Sequence, residues 1–293
     1  MLKTAHSPPS PFGMTTLPFR KYHGLGNDFM VLDRTSKHFV LPSERIKALG
    51  DRHTGVGFDQ LLIVDPPDTP DIDFTYTIYN SDGSRAEQCG NGARCFVRFV
   101  LDNGLTVKRF LRLQTSTGVI SAALQDSGLV EIDMGVPAHY SPDLPFQEQN
   151  HEPTTLLQSV TVEDQEFQFL PVSMGNPHAV IEVDDVSKAP VERFGHQLAT
   201  HSLFPAGVNV GFCQYVDRGF VRLRVFERGA GETRACGSGA CAAVVAGIAQ
   251  GKLSAKVKVS LPGGKLRIVW NGPGQTVKML GPTATVFRGE FSL

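Results

Sequence analysis

Two short segments of the chain carry the residue types that acid–base chemistry at a carbon atom needs. Cys89-Gly-Asn-Gly-Ala-Arg-Cys95 recurs as Cys236-Gly-Ser-Gly-Ala-Cys241, and the leading cysteines are 147 residues apart in a chain of 293. Each segment opens the strongest helical signal of its half. A helix start leaves backbone N–H groups unpaired and carries partial positive charge, so it attracts a carboxylate or a phosphate. Glycines there let a ligand approach the backbone closely. A cysteine just ahead of such a helix should have its thiolate stabilised, drawing its pKa from about 8.5 toward neutrality. Two such ends facing one another would cradle a carboxylate between two thiols. That constellation suits removal of an α-proton from one face of an amino acid and return of a proton from the other. The cradle would hold the charge that spreads into the carboxylate.

Other uses of cysteine compete with this one. Free cysteines most often pack as small hydrophobes, and that reading fits Cys95 and Cys241 inside apolar helices and Cys213 in the strand-like VGFCQYV. It fits Cys89 and Cys236 poorly, because both are flanked by glycines at helix starts. A zinc site would need tighter pairs than the C-x5-C and C-x4-C spacings found here. Gly237-Ser-Gly239-Ala-Cys-Ala242 matches a dinucleotide fingerprint, yet Val257 and Lys258 stand about where the acidic partner is needed. A redox dithiol stays open, since facing thiols can oxidise to a disulfide.

The elements that must position these segments are mostly strands. Asp71 to Tyr79 alternates, with Ile72, Phe74, Tyr76 and Ile78 on one face. Period-two signals recur at Val221 to Phe226, Lys256 to Leu261, Lys265 to Trp270 and Thr276 to Leu280. Shorter strands are expected at Phe29 to Asp33, Leu61 to Val64, Phe110 to Gln114 and Leu129 to Met134. Helices are expected at Ser43 to Gly50, with Ser43 as cap, and from Gly92 to about Asp102 and Gly239 to about Gln250. Many strands around a few helices predict an α+β fold with largely antiparallel sheets. The duplicated motif suggests a duplicated domain, with the loop-like Val136 to Pro153 as the boundary. A weaker pair, Met134-Gly-Val-Pro137 and Met174-Gly-Asn-Pro177, does not keep the 147-residue spacing.

Composition excludes several classes. With 28 Lys and Arg against 29 Asp and Glu, the net charge of -1 disfavours a nucleic-acid or anionic-membrane binder. Thirty glycines and 19 prolines describe a compact protein with many turns. At about 150 residues per domain, the length suggests two domains. Five cysteines, an odd and low count, favour reduced thiols in a cytoplasm over a disulfide framework. The uncharged stretch Ala235 to Gly251 falls short of the roughly 20 apolar residues that span a bilayer. Met1 to Thr16 is polar and proline-rich, a flexible extension without a signal-peptide pattern.

From about Leu17 to Leu293 the chain resembles the diaminopimelate epimerases. The motifs that carry the resemblance are His23-Gly-Leu-Gly-Asn-Asp-Phe29, Gly55-Val-Gly-Phe-Asp-Gln60, Asn80-Ser-Asp-Gly-Ser84 and the Cys89 segment. They continue with Met174-Gly-Asn-Pro-His178, Asn209-Val-Gly-Phe212, Glu227-Arg-Gly-Ala-Gly-Glu-Thr233 and the Cys236 segment. The resemblance implies an enzyme that interconverts LL- and meso-diaminopimelate, on the route to lysine and peptidoglycan, without pyridoxal phosphate or metal. It implies two pseudo-symmetric domains, each a mainly antiparallel sheet wrapped around a central helix, with the active site in the cleft between them. The first domain would comprise residues 17–133 plus 281–293 and the second residues 134–280.

By the same resemblance Cys89 and Cys236 are paired bases, one thiolate and one thiol. Gly90-Asn91 and Gly237-Ser238 would give backbone donors to the reacting α-carboxylate. Arg228 would hold the distal carboxylate bidentately, with Glu227 on the distal ammonium. Asn27, Gln60, Asn80, Asn176 and Asn209 would supply neutral donors and acceptors. His178 and Glu227 would also tune the thiols. A homodimer is expected, although Phe287 stands where bacterial members carry a tyrosine associated with dimer contacts. Two rival readings are a proline or hydroxyproline racemase and a non-catalytic amino-acid-binding module. Arg228, Glu227 and the asparagines argue against the racemase, because a small cyclic substrate has no distal zwitterion to satisfy them.

Overall fold

The computed structural model describes residues 16–86, 89–138 and 157–293. Most of the expected boundary loop, residues 139–153, lies outside the described residues, as does residues 1–15 of the N-terminal extension. Thr16 itself opens a strand.

The first half runs β1 (Thr16–Gly24), β2 (Asn27–Asp33), α1 (Ser43–Gly50), β3 (Gln60–Asp65) and β4 (Phe74–Asn80). It continues with β5 (Arg85–Ala86), α2 (Gly90–Asp102), β6 (Phe110–Thr115), β7 (Gly118–Leu124) and β8 (Val130–Asp133). The second half begins with β9 (Gln158–Val162), β10 (Gln165–Ser173), β11 (Pro177–Glu182), α3 (Val191–Ala199) and β12 (Asn209–Asp217). Then come β13 (Phe220–Glu227), β14 (Gly231–Thr233), α4 (Gly237–Ala249), β15 (Lys256–Leu261), β16 (Gly264–Val269) and β17 (Lys278–Gly281). The last strand is β18 (Ala284–Ser292).

The two halves are wired alike. In the first, β1 pairs antiparallel with β2, β2 parallel with β3, β3 antiparallel with β4, and β4 parallel with β6. In the second, β10, β11, β12, β13 and β15 repeat that order and those senses. Each half closes with an antiparallel meander, β6-β7-β8 or β15-β16-β17. Each half also has an outer strand, since β18 pairs with β1 and β9 with β10. The equivalent strands β8 and β17 pair with one another, so one sheet runs through both halves. The fold is α+β, mainly antiparallel, and pseudo-symmetric.

A helix sits inside each half, and each buries most of its surface. In α4 every residue from Gly239 to Gly247 is buried, as expected of a helix that is apolar all round. In α2 Ala93, Cys95, Phe96, Val97, Phe99 and Val100 are buried, while Arg98 and Asp102 form an i,i+4 ion pair on its outer side. One hydrophobic cluster contains residues of both helices, so the halves share a core. Two smaller clusters lie under α1 and α3. Among the described residues no helix is long and apolar enough to cross a membrane.

Several sequence expectations need correction. Both motif helices start two residues earlier than expected, at Gly90 and Gly237, because the cysteines themselves cap them. Ser43 is not a cap; it lies inside α1, whose cap is Pro42 without a side-chain bond. The strand expected from Asp71 begins at Phe74. The pair of Met-Gly-x-Pro segments follows β8 in one case and β10 in the other, positions that are not equivalent.

Candidate active site

Cys89 and Cys236 occupy the position where a serine or aspartate would normally cap a helix. Each has extended backbone, and each Sγ accepts the third N–H of its helix: Gly92 N to Cys89 and Gly239 N to Cys236, both at 3.3 Å. The glycine at that third position is required in α2, because a Cβ on Gly92 would lie 2.4 Å from the Tyr76 hydroxyl.

The two helix starts meet. Met279 on β17 lies so close to both that a Cβ on Gly90 would come within 2.8 Å of its Cε, and one on Gly237 within 3.0 Å of its Sδ. The Asn91 side chain crosses between the halves, its Nδ2 donating to the Ala235 carbonyl at 3.0 Å and to Asn27 Oδ1 at 3.2 Å. Both cysteines therefore open on one cleft of about 1810 Å³. A closed small-molecule pocket is typically roughly 300–1,000 Å³, so this one is open.

Of the residues expected at the site, Asn27, Gln60, Asn80, Cys89, Gly90, Asn91, Asn176, Glu227, Arg228, Cys236, Gly237 and Ser238 all line the cleft. Asn209 and His178 do not; both are buried behind its wall. Asn209 holds Arg228 in place, its Oδ1 accepting the Arg228 N–H at 2.9 Å while its Nδ2 donates to the Pro177 carbonyl. The Arg228 guanidinium donates to the Ala206 carbonyl at 2.6 Å and has no carboxylate partner among the described residues. Gln60 donates to Asn80 Oδ1 at 3.1 Å, and its own buried Oε1 has no donor among the described residues.

The surroundings of the two thiols differ. Cys89 Sγ donates to Asn27 Oδ1 at 3.7 Å, and the Asn27 amide donates to Asp59 Oδ2 at 2.8 Å. Asp59 shares Arg52 with Asp28, whose other partner is the buried Lys21. Burial pushes the Asp28 carboxyl up, but Arg52 and Lys21 outweigh it and hold the group well below the usual carboxylate range. Around Cys236 stand Ser238 Oγ at 3.6 Å and the carboxylate of Glu227, which also accepts from the Thr233 hydroxyl. Asn176 donates to Ser238 Oγ at 3.4 Å and its Oδ1 lies 3.1 Å from His178 Nε2.

The expected drop in thiol pKa is not found. Burial pushes Cys89 up from 9.0 to about 11, with the Gly92 N–H pulling in the opposite direction. Burial also drives Cys236 well above its usual value, with the Glu227 charge adding to the rise. Desolvation of a thiolate thus outweighs the helix-start N–H donors together with Arg94 at Cys89 and the Ser238 hydroxyl at Cys236. Glu227 is itself pushed up by burial, against its bonds to Thr233 and Cys236. His178 is pushed down to about 3, chiefly by burial and then by Arg228, so its imidazole is neutral at physiological pH. A neutral ring facing Asn176 Oδ1 carries its proton on Nε2. All five cysteines are free, and among the described residues no cluster of His, Cys, Asp and Glu is arranged to hold a metal ion.

The family model for diaminopimelate epimerase matches residues 19–140 and 170–286. The chain belongs to the diaminopimelate epimerase family. It is 54% identical to the diaminopimelate epimerase of Stutzerimonas stutzeri over 277 residues, 94% of this chain and 99% of the relative. With that of Ectopseudomonas mendocina the identity is 56% over the same lengths. Membership makes the chain an enzyme of the isomerase class. A hydroxyproline epimerase from Agrobacterium vitis, solved with trans-4-hydroxy-L-proline, has the same fold with a TM-score of 0.68. It is 16% identical and the alignment covers 95% of this chain and 93% of that one. A phenazine biosynthesis protein of Bacillus anthracis gives a TM-score of 0.66 at 14% identity, covering 96% of this chain and 100% of the other. These likenesses concern the fold.

Sequence reasoning left out Asp59, Arg52, Lys21, Thr233 and Arg234, all at or beside the cleft. The signal for the first was present. Asp59 stands inside the Gly55 to Gln60 motif, one residue before Gln60, in the bend that leads into β3.

Proposed function

We propose that this chain interconverts LL- and meso-diaminopimelate by two-base proton transfer, without pyridoxal phosphate. Cys89 and Cys236 are the base and the acid on opposite faces of one α-carbon, exchanging roles with direction. The observation that carries this reading is that both cysteines cap helices whose starts meet at Met279 over one cleft. A substrate α-carboxylate on the N–H groups of Gly90-Asn91 and Gly237-Ser238 would take the charge that develops when the α-proton leaves.

The high thiol pKa values give the neighbours work. Glu227 is the group positioned to receive the Cys236 proton. Neutral His178 steadies Asn176, and through it Ser238 beside Cys236. The distal zwitterion falls to Arg228, whose guanidinium has no carboxylate among the described residues, and to the unpaired Gln60 Oε1 with Asn80. A substrate lacking that zwitterion would leave these groups unpaired, a penalty that produces selectivity. The open cleft is expected to narrow around the substrate. Residues 17–133 with 281–293 form the first domain in this reading and 134–280 the second, supported by the return of β18 to β1.

The test is a substrate panel with purified protein and no added cofactor. Conversion of LL-diaminopimelate, with proline and trans-4-hydroxyproline untouched, is the expected result. Turnover of proline, or a requirement for added pyridoxal phosphate, would overturn it. Binding without exchange at the α-carbon would instead indicate a binding module.

A further inference from the structure

Among the described residues no carboxylate is hydrogen-bonded to the Cys89 thiol, and the cation that acts on it is Arg94. Arg94, one turn into α2, is 0% exposed and has no carboxylate partner among the described residues. Its Nη2 donates to Asn91 Oδ1 at 2.8 Å, and its Nη1 to the Gly90 carbonyl at 3.4 Å and to Met279 Sδ at 3.5 Å. Its Nε is buried with no acceptor among the described residues. The space for it is shaped by β17, where a Cβ on Gly281 would lie 2.9 Å from that Nε. A guanidinium held only by neutral acceptors is an expensive thing to bury. An arginine in a helix ordinarily turns outward, as Arg98 does on the same helix.

The bonds it makes have a direction. Donation to Oδ1 fixes the Asn91 amide, so that Nδ2 must face Asn27 Oδ1 and the Ala235 carbonyl. From the other end the Asp59 carboxylate fixes the Asn27 amide, so that its Oδ1 faces Asn91 and the Cys89 thiol. Two amides in series thus run from carboxylate to guanidinium, with Cys89 bonded at the middle. Among the described residues the titratable groups facing Cys89 are Glu227, Arg94, Cys95 and Tyr76, and of these Arg94 is the cation. Arg94 faces Cys89, Cys95, Cys241 and Tyr76. Burial lowers its own affinity for a proton, yet an arginine stays charged in a protein.

We propose that Arg94 is a positioning residue for Cys89: its guanidinium locks the Asn91 amide that braces Asn27, and its charge steadies the negative charge that develops at the head of α2. The inference rests on Cys89 working as an acid–base group. Its deciding readout, thiol alkylation, needs no turnover, so the two fail separately: Cys89→Ala with full epimerisation would sink the two-base reading and leave the alkylation test untouched.

The experiment is iodoacetamide alkylation of the full-length protein at about pH 8, where thiolate is the reacting species, with Cys89 and Cys236 peptides quantified in one sample. Arg94→Gln keeps a donor for Asn91 and removes the charge; Arg94→Lys keeps the charge. In Arg94→Gln of native circular dichroism, Cys89 should react about tenfold more slowly, one unit of thiol pKa, while Cys236 is unchanged. Arg94→Lys should leave the Cys89 rate near wild type and raise KM, because the fork to Asn91 and Gly90 is lost. If Arg94→Gln fails to fold, Arg94→Lys carries the test alone. An unchanged Cys89 rate in folded Arg94→Gln, equal slowing of both thiols, or tenfold slowing in Arg94→Lys would overturn the proposal.

Discussion

The two halves share one wiring diagram, and strand register lets them be compared residue by residue. Phe29 pairs with Gln60 and Gln60 with Asn80; at the same points of the second half His178 pairs with Asn209, which lies one register step beyond Val210–Phe226 and so beside Glu227. Cys89 and Cys236, Asn80 and Glu227, and Arg94 and Cys241 all keep the 147-residue offset. The backbone and the two capping thiols are therefore common property, and the chemistry lies in the exchanges around them. The first half surrounds its thiol with amides fixed by Asp59 and Arg94. The second gives its thiol a carboxylate, Glu227, and adds Arg228 where the first has Ser81. Even the equivalent asparagines point differently, Asn27 offering Oδ1 toward Cys89 and Asn176 offering Nδ2 toward Ser238. In the proposed mechanism duplication would supply two faces of attack, and divergence would set Arg228 of the second half beside Gln60 and Asn80 of the first at the far end of the substrate.

The contrast can be broken most severely at the shared thiols. Cys89→Ala and Cys236→Ala should each lower kcat for epimerisation by about 10³-fold or more, since each removes an acid–base group that acts in both directions. Stereochemical analysis of the diaminopimelate pool measures it; near-wild-type activity in either would show that one half suffices. Next comes the exchanged arginine. Arg228→Leu should raise KM for diaminopimelate by about 10-fold or more, the scale of losing a hydrogen bond to a charged group. Ser81→Ala, at the equivalent point of the first half, should change KM far less.

His178→Phe gives the second half the residue of the first, and it should act on stability. The folded-state pKa of His178 is lowered from 6.5 to about 3, so charging favours the unfolded chain. Its contribution is present above pH 6.5 and is lost as pH falls toward about 3. Urea unfolding at several pH values should show a shallower acid decline in the variant; an identical slope would mean His178 titrates normally. The smallest effects separate the two helices. Val245→Ala in α4 should cost about 2 kcal/mol from lost methyl groups and the cavity left. Arg98→Ala, at the equivalent point of α2, should cost about 0.3–0.5 kcal/mol, the worth of an exposed i,i+4 pair.

What the sequence made legible follows the physics of each element. Strands with one covered face alternate and were readable, among them β13, β15 and β16. β10 and β11 hide consecutive residues on both faces and carry Pro171 and Pro177, so alternation gives no signal. α3 escaped because Gly195 sits in a nine-residue helix, although Val191, Phe194 and Leu198 mark its buried side. The capping thiols and the cleft-lining asparagines stand in local motifs, which a single chain displays. The buried state of Arg94, the Asp59 bond to Asn27 and the upward shift of both thiols depend on groups brought together from distant segments. A helix start alone predicts a lowered thiol pKa, and only the packing reveals that burial prevails.

The central claim is that two thiols serve opposite faces of one carbon, and proton bookkeeping in heavy water tests it most directly. LL-diaminopimelate should be converted in D₂O and both isomers recovered at low conversion. A separate acid on the far face delivers a solvent deuteron, so the meso product should carry deuterium at the inverted carbon while recovered LL substrate keeps its hydrogen. Product that retains the substrate's own proton would mean that one base swings between faces, and would contradict the account.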